Sequence, residues 1–147
     1  MSTNKRKRGK KYFNAAEANV TLPLVRSIVK DITELAANLR DRNERLERLG
    51  GGTRGGLGEA HQEELQTVQE DLERAQDQMK DYVQELNALG VELKDFYTGL
   101  VDFPAWMNGH EVYLCWRLGE PEVGHWHEVD AGFAGRQKLS QEEVHSH

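Results

Sequence analysis

The sequence has few of the features that mark secreted or membrane-spanning proteins. Cys115 is the single cysteine among 147 residues, which excludes a disulfide within the chain and fits a reducing cytoplasm. No apolar run approaches the roughly 20 residues that a membrane-spanning helix needs, and no signal-peptide apolar segment follows the start. We therefore expect one soluble, cytoplasmic domain that makes no membrane contact.

Acidic residues are absent from the first 11 positions, which hold six basic residues: Lys5, Arg6, Lys7, Arg8, Lys10 and Lys11. The other 13 basic residues stand against all 25 acidic ones, so the rest of the chain has a net charge of −12. Like charges repel, so we predict a disordered tail over residues 1–11. Nucleic acid would contact this tail weakly, if at all, because the acidic body repels phosphate.

Proline is also absent from a long segment over residues 59–96, in which Gly90 is the one glycine. Its apolar residues recur at alternating spacings of three and four: Leu65, Val68, Leu72, Ala75, Met79, Tyr82, Leu86, Leu89, Leu93 and Phe96. This heptad pattern predicts a helix over about residues 59–96 that packs on a partner helix.

The same spacing precedes a glycine-rich segment at residues 50–58 and predicts the partner helix over about residues 21–49. Asn14 and Glu17 form a capping-box pattern that predicts a short helical turn before it. Thr21 and Pro23 then indicate a second helix start, because proline is tolerated in a first turn. The glycine segment has no preceding strand and no Gly-Lys-Ser/Thr ending, so we interpret it as the tip of an antiparallel helical hairpin rather than a phosphate loop.

The period changes after the second helix. Residues 102–106 read as irregular and apolar, and Asn108-Gly109 gives a turn signal. Alternating residues then predict a β-hairpin over about residues 110–130. The expected fold is mainly α, of the α+β class: a long coiled-coil-like helical hairpin with this small β-hairpin packed at its base. The domain would span residues 12–138, followed by a flexible tail over residues 139–147.

One face of the predicted β-hairpin is polar, and it carries Glu111, Tyr113, Cys115, Arg117, His125 and His127. A register that places Trp116 near Trp126 would put Cys115 near His127 and Arg117 near His125. Any even change of register keeps the same residues on this face.

This polar face allows three interpretations. Cys115, His125 and His127, with Glu111 as a fourth ligand, have the donor atoms of a divalent transition-metal site. Alternatively, an imidazole beside Cys115 lowers the pKa of the thiol and makes it reactive. The third interpretation is a solvated or subunit-facing surface, since one face of a small sheet is normally wet. Further candidate site residues are Glu17, Asp102, Tyr113 and Arg117, because Glu17 and Asp102 lie at the same end of the helical pair.

Several short motifs together resemble a known family. They are Tyr12-Phe13, Glu17-Ala18-Asn19, Leu22-Pro23, residues 90–95, residues 99–104, residues 114–120, Trp126-His127 and residues 132–136. In these the chain resembles the prokaryotic family catalogued as domain of unknown function 2203. The resemblance covers about residues 12–138 and implies a bacterial or archaeal cytoplasmic setting, but it brings no established activity.

Two function classes therefore stand, and the sequence does not decide whether the protein is an enzyme. The first is an interaction or self-associating structural module, because two helices alone bury little surface and a homodimer or a protein partner would bury more. The second is a small metal-binding protein, or a metal- or cysteine-dependent enzyme, that uses the polar face of the β-hairpin.

Overall fold

Two long helices are followed by a five-stranded antiparallel sheet in the computed structural model, which describes residues 8–51 and 58–140. The elements are α1 (Ala15–Gly51), α2 (Glu59–Ala88), β1 (Glu92–Asp95), β2 (Leu100–Met107), β3 (His110–Arg117), β4 (His125–Glu128) and β5 (Gln137–Lys138). The strands follow one another in chain order across the sheet. Over the described ranges, neither helix is long and apolar enough to cross a membrane.

Helix α1 begins at Ala15 and not at Thr21, so the expected two-part start is wrong. The capping box is confirmed: the Glu17 N–H donates to Asn14 Oδ1 at 2.7 Å, and the Asn14 N–H donates to Glu17 Oε1 at 2.9 Å. The helix then runs through Pro23 without ending. An interior proline costs about 3 kcal/mol. Burial of one continuous stripe, which includes Ala18, Leu22 and Val25, offsets that cost.

Helix α2 ends at Ala88, earlier than the predicted position 96. Gly90 has φ +87°, its N–H donates to the Asn87 carbonyl at 2.9 Å, and the Val91 N–H donates to the Leu86 carbonyl at 3.1 Å. These two bonds form a Schellman motif, so Gly90 is a helix-terminating residue. Leu93 of the predicted seam therefore lies in a strand. The predicted glycine-rich tip begins inside α1, and its residues 52–57 lie outside the described residues.

The expected two-stranded hairpin is part of a larger sheet. The segment predicted as irregular, residues 102–106, lies in β2, which is as long as β3 at eight residues. Asn108 and Gly109 connect β2 to β3 with φ values of +52° and +83°, as a two-residue hairpin turn requires. Pro104 lies in β2 beyond Asp102, the last residue of that strand that pairs with β1. On that side the Pro104 carbonyl accepts the Phe13 N–H at 2.7 Å. Its missing N–H therefore removes no bond between strands.

The hydrophobic core lies between the helices and one face of the sheet. Its fully buried side chains include Val25, Val29, Ile32, Leu86, Val101, Phe103, Val112, Leu114 and Trp116. Successive strand residues point to opposite faces, so the residues between these core positions on β2 and β3 lie on the other face of the sheet. That outer face carries the polar residues of the site.

The helices also contact each other farther from the sheet. Arg42 donates to the Asp71 carbonyl at 3.0 Å, and Arg45 forms an ion pair with Glu64 at 2.7 Å. The His61 ring lies 3.1 Å from the Leu49 carbonyl oxygen. These contacts join the C-terminal part of α1 to the N-terminal part of α2.

Gly99 is the position where the fold leaves least room for a side chain. It has φ +73°, and an added Cβ would lie 2.8 Å from both Leu118 Cβ and Val29 Cγ1. Gly109 also has a positive φ, but its added Cβ would meet nothing within 4 Å.

We therefore predict that Gly99→Ala lowers the free energy of unfolding by about 1–3 kcal/mol more than Gly109→Ala, because only Gly99→Ala adds a clash. Urea denaturation of both variants measures this difference, and equal losses would contradict the packing described around Gly99.

Candidate functional site

The outer face of the sheet brings together side chains from three strands. The Asn108-Gly109 turn sets the β2–β3 register, which places Asp102 directly opposite Cys115. On the other side of β3, Cys115 pairs with His125 and Tyr113 pairs with His127. The predicted register is therefore wrong by two residues, although Cys115 and His127 do lie close together.

The same shift separates Trp116 from Trp126, which pairs with Leu114. The connection of residues 118–124 is held by α1 and sets this register. Asn19 on α1 donates to the Val123 carbonyl at 3.2 Å and accepts the Val123 N–H at 2.7 Å. Since the shift is even, the expected residues still share one face.

Asp102, Cys115 and His127 form a compact cluster at the centre of this face. One possible ligand atom from each residue lies within 4.8 Å of the other two. The cluster is not a wet surface, because Asp102, Cys115 and His127 are only 3%, 0% and 2% exposed. Carboxylate oxygen, thiolate sulfur and imidazole nitrogen are ligands that zinc and related transition metals accept.

His127 is held by hydrogen bonds at both ring nitrogens. Its Nδ1 lies 2.7 Å from the Glu128 carbonyl oxygen, and its Nε2 lies 3.1 Å from each carboxylate oxygen of Asp102. The carbonyl can only accept, so Nδ1 carries a proton and Nε2 faces the cluster. The contact between Nε2 and Asp102 then holds one further proton.

Burial changes the acidity of this cluster. Burial raises the pKa of Asp102, although the neighbouring His127 opposes the shift. Burial and then the nearby Asp102 carboxylate raise the pKa of the Cys115 thiol to about 12, against the opposing charge of Arg136. A reactive thiol needs a lowered pKa, so the geometry does not favour the interpretation of Cys115 as an activated nucleophile.

A second set of contacts surrounds Tyr113 on the same face. The Tyr113 hydroxyl donates to the Glu92 carboxylate, with distances of 3.1 and 3.2 Å to its two oxygens, and burial and then Glu92 raise the pKa of Tyr113. The Tyr113 ring lies 5.5 Å from the His127 ring. Lys94 and Lys10 lie 5.1 and 5.9 Å from its centroid. Tyr113 thus borders the cluster and does not supply one of its three donor atoms.

His125 belongs to another group of side chains, centred on Arg136. Arg136 donates to His125 Nδ1 at 2.6 Å, forms an ion pair with Glu120, and places Nη1 3.9 Å from Cys115 Sγ. Burial and then Arg136 lower the pKa of His125. Burial alone would raise the pKa of Glu120, but hydrogen bonds from Arg136 and the Arg117 N–H hold it below its ordinary value.

The other predicted site residues are occupied elsewhere. Glu111 accepts hydrogen bonds from Lys10 at 2.6 Å and from Tyr12 at 2.9 Å, and it is not one of the clustered donors. Glu17 caps α1. Arg117 is exposed and lies over the Phe133 ring.

The basic segment is divided. Lys5, Arg6 and Lys7 lie outside the described residues, and Arg8 is exposed. Lys10 pairs with Glu111, and Lys11 lies 4.7 Å from the centroid of the Phe13 ring. The expected disordered tail is therefore wrong for Lys10 and Lys11, which pack on the domain.

The sequence predicted Asp102 as a further site residue but not as a ligand, and it did not predict Glu120 and Arg136 as neighbours of Cys115. A signal for Asp102 was available. Asp102 and Cys115 are equally far from the Asn108-Gly109 turn, so a strand before that turn would have paired them. Nothing comparable marks Arg136, because an irregular segment brings it back to the sheet.

The chain belongs to the family described as "Uncharacterized conserved protein (DUF2203)", which matches residues 11–139. The match includes every residue of the cluster and of the group around Arg136. No curated protein and no solved structure matches the chain.

We predict that Cys115 alkylates slowly in the native protein. At pH 8 its reaction with iodoacetamide should be at least about a hundredfold slower than in the urea-unfolded chain, because the thiolate is the reacting form and a free cysteine has a pKa near 8.5. The rate should keep rising with pH above 9, since the pKa of the Cys115 thiol is about 12. A fast reaction that reaches a plateau near neutral pH would instead support the activated thiol.

Proposed function

We propose that this protein binds one divalent transition-metal ion, of the zinc class, through Asp102, Cys115 and His127. The observation that carries the proposal is the buried cluster in which an oxygen, a sulfur and a nitrogen donor all lie within 4.8 Å of one another. Tetrahedral zinc with bonds of about 2.0–2.3 Å needs ligand atoms about 3.3–3.8 Å apart, so small side-chain movements suffice. This set differs from the one expected from sequence, since Asp102 takes the place of His125 and Glu111.

The orientation of His127 supports this proposal. Ligating histidines usually donate their second ring N–H to a carboxylate or a backbone carbonyl, which fixes the ring and leaves the other nitrogen for the metal. The Glu128 carbonyl, 2.7 Å from Nδ1, fills that role here. A reducing cytoplasm, which we expect from the single cysteine, would keep the sulfur available.

The protons of the cluster give the proposal a specific consequence. Without a metal, the cluster holds one proton on Cys115 and one between Asp102 and His127. A divalent ion would replace both, so binding leaves the charge of the buried cluster unchanged. Three protein ligands also leave one coordination position, the arrangement in which zinc enzymes hold water or substrate.

We predict that the purified protein takes up one equivalent of zinc and releases about two protons per ion near pH 7, because metal ligands must be deprotonated. Zinc at a hundredfold excess over its dissociation constant should stabilise the fold by about 2.7 kcal/mol. Calorimetry in buffers of different ionisation enthalpy gives the proton count, and thermal unfolding gives the stabilisation.

Two control variants exclude other ligands. His145→Ala combined with His147→Ala removes the C-terminal histidines, and His110→Asn removes a half-buried histidine that pairs with Glu128 at 2.8 Å. Both variants should bind zinc like the parent chain, whereas Cys115→Ser should not. Zinc binding by the Cys115→Ser variant would contradict the proposed site. So would the loss of zinc binding in the variant that combines His145→Ala with His147→Ala.

A second candidate function is self-association through the helices, packed as an antiparallel pair along the predicted seam. The observation that favours it is the extent of the core cluster, which on α1 ends at Ala36 with Leu39 packed against it. Beyond that point Val68 and Leu72 of α2 are still buried, but Leu46, Leu49 and Leu65 are only half-buried. A second copy that covers these leucines would form a four-helix arrangement.

For this second candidate we predict a dimer at tens of micromolar protein, measured by sedimentation equilibrium. Leu46→Lys should weaken the dimer, while Val20→Lys should not, because Val20 is 82% exposed on α1 outside the predicted seam. A monomer at all concentrations would exclude self-association and would leave the metal site unaffected.

A further inference from the structure

Residues 131–139, here called the C-terminal strap, return from the end of β4 to the outer face of the sheet. The strap includes a short 3₁₀ turn at Phe133–Gly135 and the two-residue strand β5. Gln137 and Lys138 are both exposed, and the Leu139 N–H donates to the Gly124 carbonyl at 2.9 Å. Little backbone pairing therefore attaches the strap to the sheet.

Arg136 is the polar anchor of this strap. Its side chain is 12% exposed and contacts three residues of the sheet and its connections: Glu120, His125 and Cys115. The Phe133 ring lies beneath its guanidinium at 4.7 Å and beneath that of Arg117 at 5.1 Å. One partly buried side chain thus joins the strap to the sulfur of the cluster.

We propose that the C-terminal strap is a lid over Cys115, held closed by the Arg136–Glu120 ion pair, and that its opening is the route by which ions and reagents reach the sulfur. The role of the lid as a route for metal ions rests on the proposed function. Its role as a cover over the Cys115 thiol does not. The strap joins the sheet mainly through the polar contacts of Arg136, the Leu139 N–H bond and a two-residue strand.

Two features of the contacts support an opening that leaves the rest of the fold intact. The core cluster includes no strap residue, and only Leu139 packs against its edge. Segments with few buried apolar contacts open at a lower free energy than the whole domain. The Arg136–Glu120 ion pair nevertheless stabilises the closed strap, because loss of a charge-assisted hydrogen bond leaves the remaining partner unsatisfied.

The test uses the full chain, treated with chelator, and follows alkylation of Cys115 by iodoacetamide at pH 8. Arg136→Gln and Glu120→Gln break the ion pair from opposite ends. Lys138→Gln removes an exposed charge from the same strap and is the matched control. Arg136 lowers the pKa of the Cys115 thiol, so its loss makes the thiol chemically less reactive. A faster reaction in Arg136→Gln therefore reports access.

We expect both ion-pair variants to raise the alkylation rate at least about tenfold, as the loss of a charge-assisted hydrogen bond should, and Lys138→Gln to leave it unchanged. The faster rate should be nearly independent of urea below the unfolding transition, because a local opening exposes little surface. An unchanged rate in Arg136→Gln would overturn the proposal even if Glu120→Gln reacted faster, because Glu120 raises the pKa of the Cys115 thiol and its loss alone would speed the reaction. So would rates that rise with urea as steeply as global unfolding does.

The metal readout is separate. If zinc binds, its transfer to a chelator should be faster in Arg136→Gln than in the parent chain, and an unchanged transfer rate would overturn the lid as a route for metal. If no zinc binds to the parent chain, the proposed metal site and the lid's role as a metal route both fail. The alkylation result still decides whether the strap covers the thiol.

Discussion

The contact between Asp102 and His127 is the constraint on which the outer half of this structure depends. Both side chains are almost fully buried, and each would be costly to bury without the other. Removing one partner of such a pair typically costs about 3–5 kcal/mol, whereas the intact pair contributes little net stability compared with apolar residues of the same size. Asp102 and His127 are also two of the three proposed zinc ligands.

The fold supplies this contact by making the sheet two-sided. The helices cover one face and form the core, while the other face is covered by short segments from both ends of the domain. Lys10 and Tyr12 reach Glu111 from the N-terminal side, and Arg136 reaches Cys115 and Glu120 from the C-terminal side. The side chains of the cluster are almost fully buried although no second helical layer covers this face in the described part of the chain.

The sequence predicted local features well and tertiary ones unevenly. The capping box at Asn14 and the alternation that places Cys115 and His127 on one face follow from neighbouring residues, and both are present. The continuation of α1 through Pro23 depends on burial, and the pairing of Cys115 with His125 depends on a connection held by Asn19. Asn19 and Val123 are 104 positions apart, and local patterns do not contain contacts of this kind.

The central claim is that one sulfur, from Cys115, joins a nitrogen and an oxygen ligand around a divalent ion. X-ray absorption at the zinc edge of the zinc-loaded chain measures those ligand atoms directly. If Cys115 is a ligand, the zinc shell holds one sulfur at about 2.3 Å, with the remaining ligands nitrogen or oxygen at about 2.0–2.2 Å. A zinc shell that contains only nitrogen and oxygen, or the absence of bound zinc, would contradict it.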